Sequence, residues 1–219
     1  MNPKIIPTPG ERLFAVGRTG SGKTTAILRI AAALSRKRQV QVLATKDDPG
    51  ILSLPVPVVS RLAQVSAFKF PEYPVVIYHP SGDEMTVDYL DAWCEWCYER
   101  KHTVAVIDEL TQVVKSPIAV SPGFLNLYTR GRTQDVTVLA GTQRPRRVPA
   151  ECFTEAEYIY KFALNDERDR KRVAEFTHPA MENQVRHKHG FHVYSLHAPD
   201  KVFYVESIEK LLPAEIAMI

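Results

Sequence analysis

Hydrophobic positions along this chain fall into short blocks that switch between two periods. Residues 12–16 (Arg-Leu-Phe-Ala-Val) form an apolar strand, and Ala26, Ile27, Leu28, Ile30, Ala31, Ala33 and Leu34 then recur at helical spacing over 23–36. Residues 39–44 read as a strand that closes a strand–helix–strand unit, and 45–50 as the turn that ends it. Pro55, Pro57, Pro71 and Pro74 leave 51–74 mostly irregular, with a short helix around 61–66. A strand follows at 75–78. Ser81 and Glu84 then stand at capping-box spacing, which predicts a helix from there to about 101. Residues 103–107 are wholly apolar after Thr103, as in a parallel strand buried on both faces. A helix over 122–133 precedes a second such strand at 136–140. Beyond Pro149 come a strand at 158–163, a charged helix at 166–176, and a hairpin of 191–196 with 202–206 turning at Ala198-Pro199-Asp200. Alternating strands and helices predict an α/β fold. It has a mostly parallel central sheet flanked by helices, plus a small C-terminal β-hairpin.

Composition narrows the class. A chain of 219 residues with 45% hydrophobic content supports one domain over 1–219. Within it, 1–10 is an extended N-terminal arm punctuated by Pro3, Pro7 and Pro9. Residues 11–176 are the core, and 177–219 the C-terminal hairpin and tail. An odd count of three cysteines argues against a disulfide scaffold. No apolar run approaches the ~20 residues that cross a bilayer, and no signal-peptide pattern opens the chain, so a soluble, intracellular protein is expected. A net charge of +3 and a pI near 8.7 permit an anionic partner without demanding one.

The candidate chemistry begins between the first strand and first helix. Gly17-Arg18-Thr19-Gly20-Ser21-Gly22-Lys23-Thr24 is a complete GxxxxGK[ST] phosphate-binding loop in its required strand–turn–helix setting. The glycines let successive backbone N–H groups point inward at phosphate oxygens, and the helix start adds partial positive charge. Lys23 is expected on the β- and γ-phosphates, Thr24 on Mg²⁺, and Thr25 completes the nucleotide-binding set. The ligand expected is ATP with Mg²⁺. The strand at 103–107 ends in Asp108-Glu109, on the sheet edge where ligands of open α/β sheets bind. Asp108 is the candidate Mg²⁺ ligand and Glu109 the general base for an attacking water. Acids also favour helix starts, so capping alone would place them here; beside a phosphate loop the nucleotide reading outweighs it. A kinase would not need a glutamate beside the magnesium aspartate, whereas a hydrolase would. Gln143, just past the next strand, is expected between the loop and the acidic pair, as a γ-phosphate or water contact or as a plain turn residue.

Thr129-Arg130-Gly131-Arg132 ahead of that strand, with Ala140-Gly141-Thr142-Gln143-Arg144-Pro145 at its end, makes the resemblance specific. Over residues 11–176 the chain resembles the FtsK–HerA superfamily of DNA-pumping ATPases. The resemblance implies a P-loop NTPase fold of the RecA-like (ASCE) type and a homo-oligomeric ring, usually a hexamer. ATP would sit at subunit interfaces, with double-stranded DNA bound sequence-independently in the channel. It also implies an arginine supplied across each interface, for which Arg132 is the first candidate and Arg130 the second. The small size favours the genome-packaging branch of membrane-containing viruses. Such a subunit acts in the host cytoplasm or at the packaging vertex of the virion, beside a portal or membrane protein. The rivals are a small-molecule or nucleoside kinase and a nucleotide-switched assembly or secretion ATPase that moves no DNA.

Basic clusters at Arg144, Arg146 and Arg147, and at 186–189, are candidate DNA-facing groups. The run Arg168–Arg172 is interleaved with acids and reads as a solvated helix laced with ion pairs. Cys94 and Cys97 share a helix with Trp93 and Trp96 and read as core rather than as a zinc or redox pair. His187, His189 and His192 lie among cations with no carboxylate close in sequence, a poor metal set. The aromatic run 158–162 reads as a buried strand rather than a base-stacking platform.

Overall fold

The computed structural model describes residues 5–114 and 116–212; the first four residues of the expected arm and 213–219 of the expected tail lie outside them. Nine strands form one sheet: β1 Arg12–Val16, β2 Gln39–Leu43, β3 Val58–Val59, β4 Val75–Tyr78, β5 Thr103–Ile107, β6 Thr137–Thr142, β7 Tyr158–Lys161, β8 Phe191–Ser195 and β9 Val202–Val205. Their spatial order is β3-β4-β2-β5-β6-β1-β7-β8-β9. All pairs from β3 through to β7 are parallel, and β8 and β9 add two antiparallel pairings at the far edge. The helices are α1 Lys23–Ser35, α2 Pro49–Leu52, α3 Leu62–Val65, α4 Val87–Arg100, α5 Leu110–Val113, α6 Pro122–Leu125, α7 Glu151–Thr154, α8 Glu167–Glu175 and α9 Ile208–Leu211.

The apolar strands separate two cores because alternate side chains point to opposite faces. Leu13 and Ala15 of β1 join Ala26, Ile27 and Ile30 of α1 on one face, with Ile208 of α9. Phe14 and Val16 join Leu90, Trp93, Cys94 and Cys97 of α4 on the other. Both cysteines are fully buried there, and burial pushes their thiols well above the ordinary range. The aromatic run does form a buried strand, with Tyr158, Tyr160 and Phe162 on the α1 face. The charged helix α8 carries the expected ion pairs, Lys171–Glu167 at 2.6 Å and Arg172–Glu175 at 3.0 Å.

Some expected boundaries move, each for a physical reason. The helix expected from Ser81 begins at Val87, because Glu84 is engaged elsewhere: its carboxylate accepts from Tyr78 Oη at 2.7 Å and from the Leu62 amide at 2.8 Å. The helix expected over 122–133 starts as α6, widens to a π turn at Asn126–Arg130, and tightens to a 3₁₀ turn at Gly131–Gln134. The tightening lets the chain reverse into β6, with the Val136 amide donating to Gly131 O at 2.9 Å. The C-terminal hairpin extends the main sheet through β7 rather than standing apart from it.

Trp93 anchors the α4 face with no solvent exposure. Trp93→Ala is expected to lower unfolding free energy by about 3–5 kcal/mol, measured by urea titration.

Candidate functional site

Strand order assembles the site. β6 lies between β1 and β5, so the loop after β1 and the acidic pair after β5 flank the end of β6 on one sheet edge. The turn from β1 into α1 needs backbone that other residues resist: Gly20 and Gly22 take φ of +72° and +97°. Gly22 thereby caps α1, whose start carries Lys23 and Thr24. Ser21 is buried within the loop, and its hydroxyl has no protein partner among the described residues. A buried hydroxyl left open inside a ring of amides suits an incoming oxygen acceptor.

Three side chains meet across the strand ends. Thr24 Oγ1 donates to Asp108 Oδ1 at 2.8 Å, and Lys23 Nζ lies 3.8 Å from the same oxygen and 3.4 Å from Asp108 O. Gly141 makes this approach possible, since a Cβ there would stand 2.8 Å from Asp108 O and 3.4 Å from Lys23 Cδ. The Thr24 hydroxyl and Asp108 carboxylate are hard oxygen donors. Magnesium favours one or two such protein ligands, with phosphate and water completing its octahedron. No group of three or more His, Cys, Asp or Glu suited to a metal exists among the described residues, so a cage built from protein alone is not on offer.

Glu109 is 3% exposed. Its Oε1 accepts from Thr142 Oγ1 at 2.8 Å, Thr111 Oγ1 at 2.9 Å and the Gln143 amide at 3.4 Å, while Lys46 Nζ donates to Oε2 at 2.9 Å. Burial alone would push this carboxyl up. The Lys46 ammonium and the two hydroxyls outweigh it and hold the group below the usual carboxylate value. In the sequence Lys46 stands only as part of the turn 45–50. Gln143 stands where β6 was expected to place it, and its Oε1 accepts from Thr19 Oγ1 of the loop at 2.8 Å. Arg18, Thr19, Thr24, Thr25, Lys46, Asp108 and Gln143 line one cavity of about 460 Å³ with the loop glycines.

Arg130 and Arg132 are not brought to this cavity. They precede β6, whose six residues span ~20 Å, and so lie at the opposite end of the sheet from their own loop. Arg132 is largely exposed, with Nη1 3.4 Å from Glu157 Oε1, and Arg130 is exposed on the π turn. Arg144 approaches Asp169 at 3.9 Å, while Arg146 and Arg147 project from a 3₁₀ turn beside it.

Known proteins resemble this chain in sequence and in fold. The chain is 26% identical over 184 residues to the DNA packaging ATPase P9 of Enterobacteria phage PRD1, covering 83% of this chain and 76% of that one. The chain is thus similar in sequence to a viral DNA packaging ATPase. Its fold is that of the genome packaging NTPase B204 from Sulfolobus turreted icosahedral virus 2. In complex with AMPPCP that structure aligns with a TM-score of 0.75 at 16% identity, over 91% of this chain and 98% of the other. The same NTPase with ATP-gammaS aligns at 0.71 and 16%, over 92% and 100%. No family model matches the chain. The shared fold is the mostly parallel P-loop sheet expected from the motifs.

Lys46→Met should raise the Glu109 pKa, since burial then faces only the hydroxyls. A carboxyl titration by NMR checks this. The charged form, present in the parent down to below the ordinary range, is expected to be lost at higher pH in the variant.

Proposed function

We propose that this chain is an ATP-hydrolysing subunit that packages double-stranded DNA into a virus. The observation that carries hydrolysis is the buried, hydrogen-bonded Glu109 one residue beyond the Asp108 that holds Thr24. The support for packaging is the similarity to the PRD1 packaging ATPase over most of both chains.

In this reading the loop amides of 17–25 and Lys23 hold the phosphates of ATP, releasing the amine from Asp108. Thr24 and Asp108 are the residues that would hold Mg²⁺. Bound there, the ion would offset charge on the phosphate oxygens. Glu109, kept ionised by Lys46, accepts a proton from water as it attacks the γ-phosphorus. The new oxygen–phosphorus bond replaces the one to ADP, which departs with the electron pair. Gln143, bonded to Thr19 and lying beside Glu109, senses whether the γ-phosphate is present. Arg132, or else Arg130, reaches the site of the next subunit and steadies charge in the transition state. That arrangement suits a homo-oligomeric ring, hexameric by the superfamily pattern, with duplex DNA in its channel. Lysine and arginine without a base-reading element suit phosphate contacts that ignore sequence. The ring would work in the host cytoplasm or at the packaging vertex, against a portal or membrane protein. No helix among the described residues is long and apolar enough to cross a membrane itself.

Glu109→Gln is expected to keep ATP affinity and lose at least about 100-fold in turnover, a typical contribution of a general base, measured by phosphate release. Wild-type turnover in that variant would remove Glu109 from the mechanism. Duplex DNA should stimulate hydrolysis, and added salt should suppress the stimulation steeply. Turnover by a monomer, indifferent to DNA, would favour a kinase-like protein instead. Arg132→Ala should abolish activity alone yet be rescued in rings mixed with Lys23→Ala subunits, because each variant spoils a different half of the shared site.

A further inference from the structure

A second cavity of about 350 Å³ opens on the other flank of the phosphate loop, lined by Gly20, Gly22 and Thr25 with Phe162, His189, Ser207, Ile208 and Glu209. The first cavity shares those three loop residues and carries Lys23, Asp108, Lys46 and Gln143. The γ-phosphate chemistry therefore lies wholly on one side of the loop. A triphosphate whose γ end lies there and which runs along the loop towards Gly22 and Thr25 can extend its remaining part into the other cavity.

We infer that this second cavity receives the nucleoside of the bound triphosphate, with His189 as the platform for its base; the inference rests on reading the loop as a triphosphate site.

The imidazole of His189 stands directly over Gly22. A Cβ at Gly22 would meet His189 Nδ1 at 3.4 Å and His189 Cβ at 3.5 Å, so the ring closes in on the bare backbone where α1 begins. Its position is built rather than incidental. Tyr204 Oη accepts from the amides of Arg186 at 3.1 Å and His187 at 2.9 Å, and Gly190 N donates to His187 O at 3.1 Å. Those bonds pin the loop that delivers His189 into β8. Phe162 also lines the cavity, buried and 4.7 Å from Phe191 between ring centres. Ile208, Ser207 and Glu209 supply the other residues of the lining, and Glu209 is held by Arg29 of α1 at 3.0 Å. An imidazole face with apolar neighbours suits a flat heteroaromatic base. A hydroxyl and a carboxylate at the rim can accept from the ribose hydroxyls.

The test compares ATP with inorganic tripolyphosphate, by calorimetry on the full chain. His189→Ala should weaken ATP binding about tenfold, as loss of base stacking does, and leave tripolyphosphate affinity unchanged. His189→Phe should restore ATP affinity, because the stacking face returns without the ring nitrogens. Equal losses for both ligands, no loss for either, or no rescue by phenylalanine would overturn the inference while leaving the phosphate loop intact. If the parent chain binds neither ligand, or if Lys23→Ala changes neither affinity, the triphosphate reading itself fails and takes this one with it. His189 is exposed, so a thermal melt of His189→Ala matching the parent separates a lost contact from a lost fold.

Discussion

A carboxylate withdrawn from water must be given partners, and the four groups around Glu109 meet that demand from three separate strand ends. Lys46 comes from beyond β2, Thr111 from α5 after β5, and Thr142 with the Gln143 amide from the end of β6. The buried charge therefore ties β2, β5 and β6 together at this edge, above the apolar packing beneath it. Substituting any one donor leaves the others with a poorly paired anion. The edge is thus energetically coupled: displacement of Lys46 or Gln143 is felt first at Glu109.

Lys23, Thr24 and Asp108 form the companion cluster, and the two are adjacent without sharing a side chain. Asp108 carries both phosphate-loop residues, and Glu109 carries none of them. The link between the clusters is Thr19 to Gln143, and then the Gln143 amide to Glu109. A ligand that pulls on the loop at Thr19 thus has a short hydrogen-bonded route to the buried carboxylate.

Much of this was legible in the sequence, because the phosphate loop, the Asp108-Glu109 pair and Gln143 each sit at the end of a recognisable apolar strand. Buried parallel strands announce themselves by continuous hydrophobicity, and strand ends of one polarity share one edge. Lys46 was not legible. A lone lysine in a turn carries no periodic signal, and its partner lies far along the chain, brought near only because β2 pairs with β5. The second cavity leaves no sequence signal for a related reason. Residues 191–206 read plainly as a hairpin, but nothing local tells which strand an added hairpin will join. Its pairing with β7 is what swings His189 against Gly22. Glu84 misled in the opposite direction, since its spacing from Ser81 fits a cap while its carboxylate serves Tyr78 and Leu62.

Gln143 directly follows β6 at one end and Arg132 lies in the 3₁₀ turn ahead of the other, with a strand buried along its length between them. A strand buried and paired on both sides resists bending, so a shift at one end is passed towards the other. In a ring assembled head to tail, the same rod would touch the subunit's own nucleotide at one tip and its neighbour's at the other. In the ring proposed for this chain, the handedness of the circle would then give the order of firing a direction.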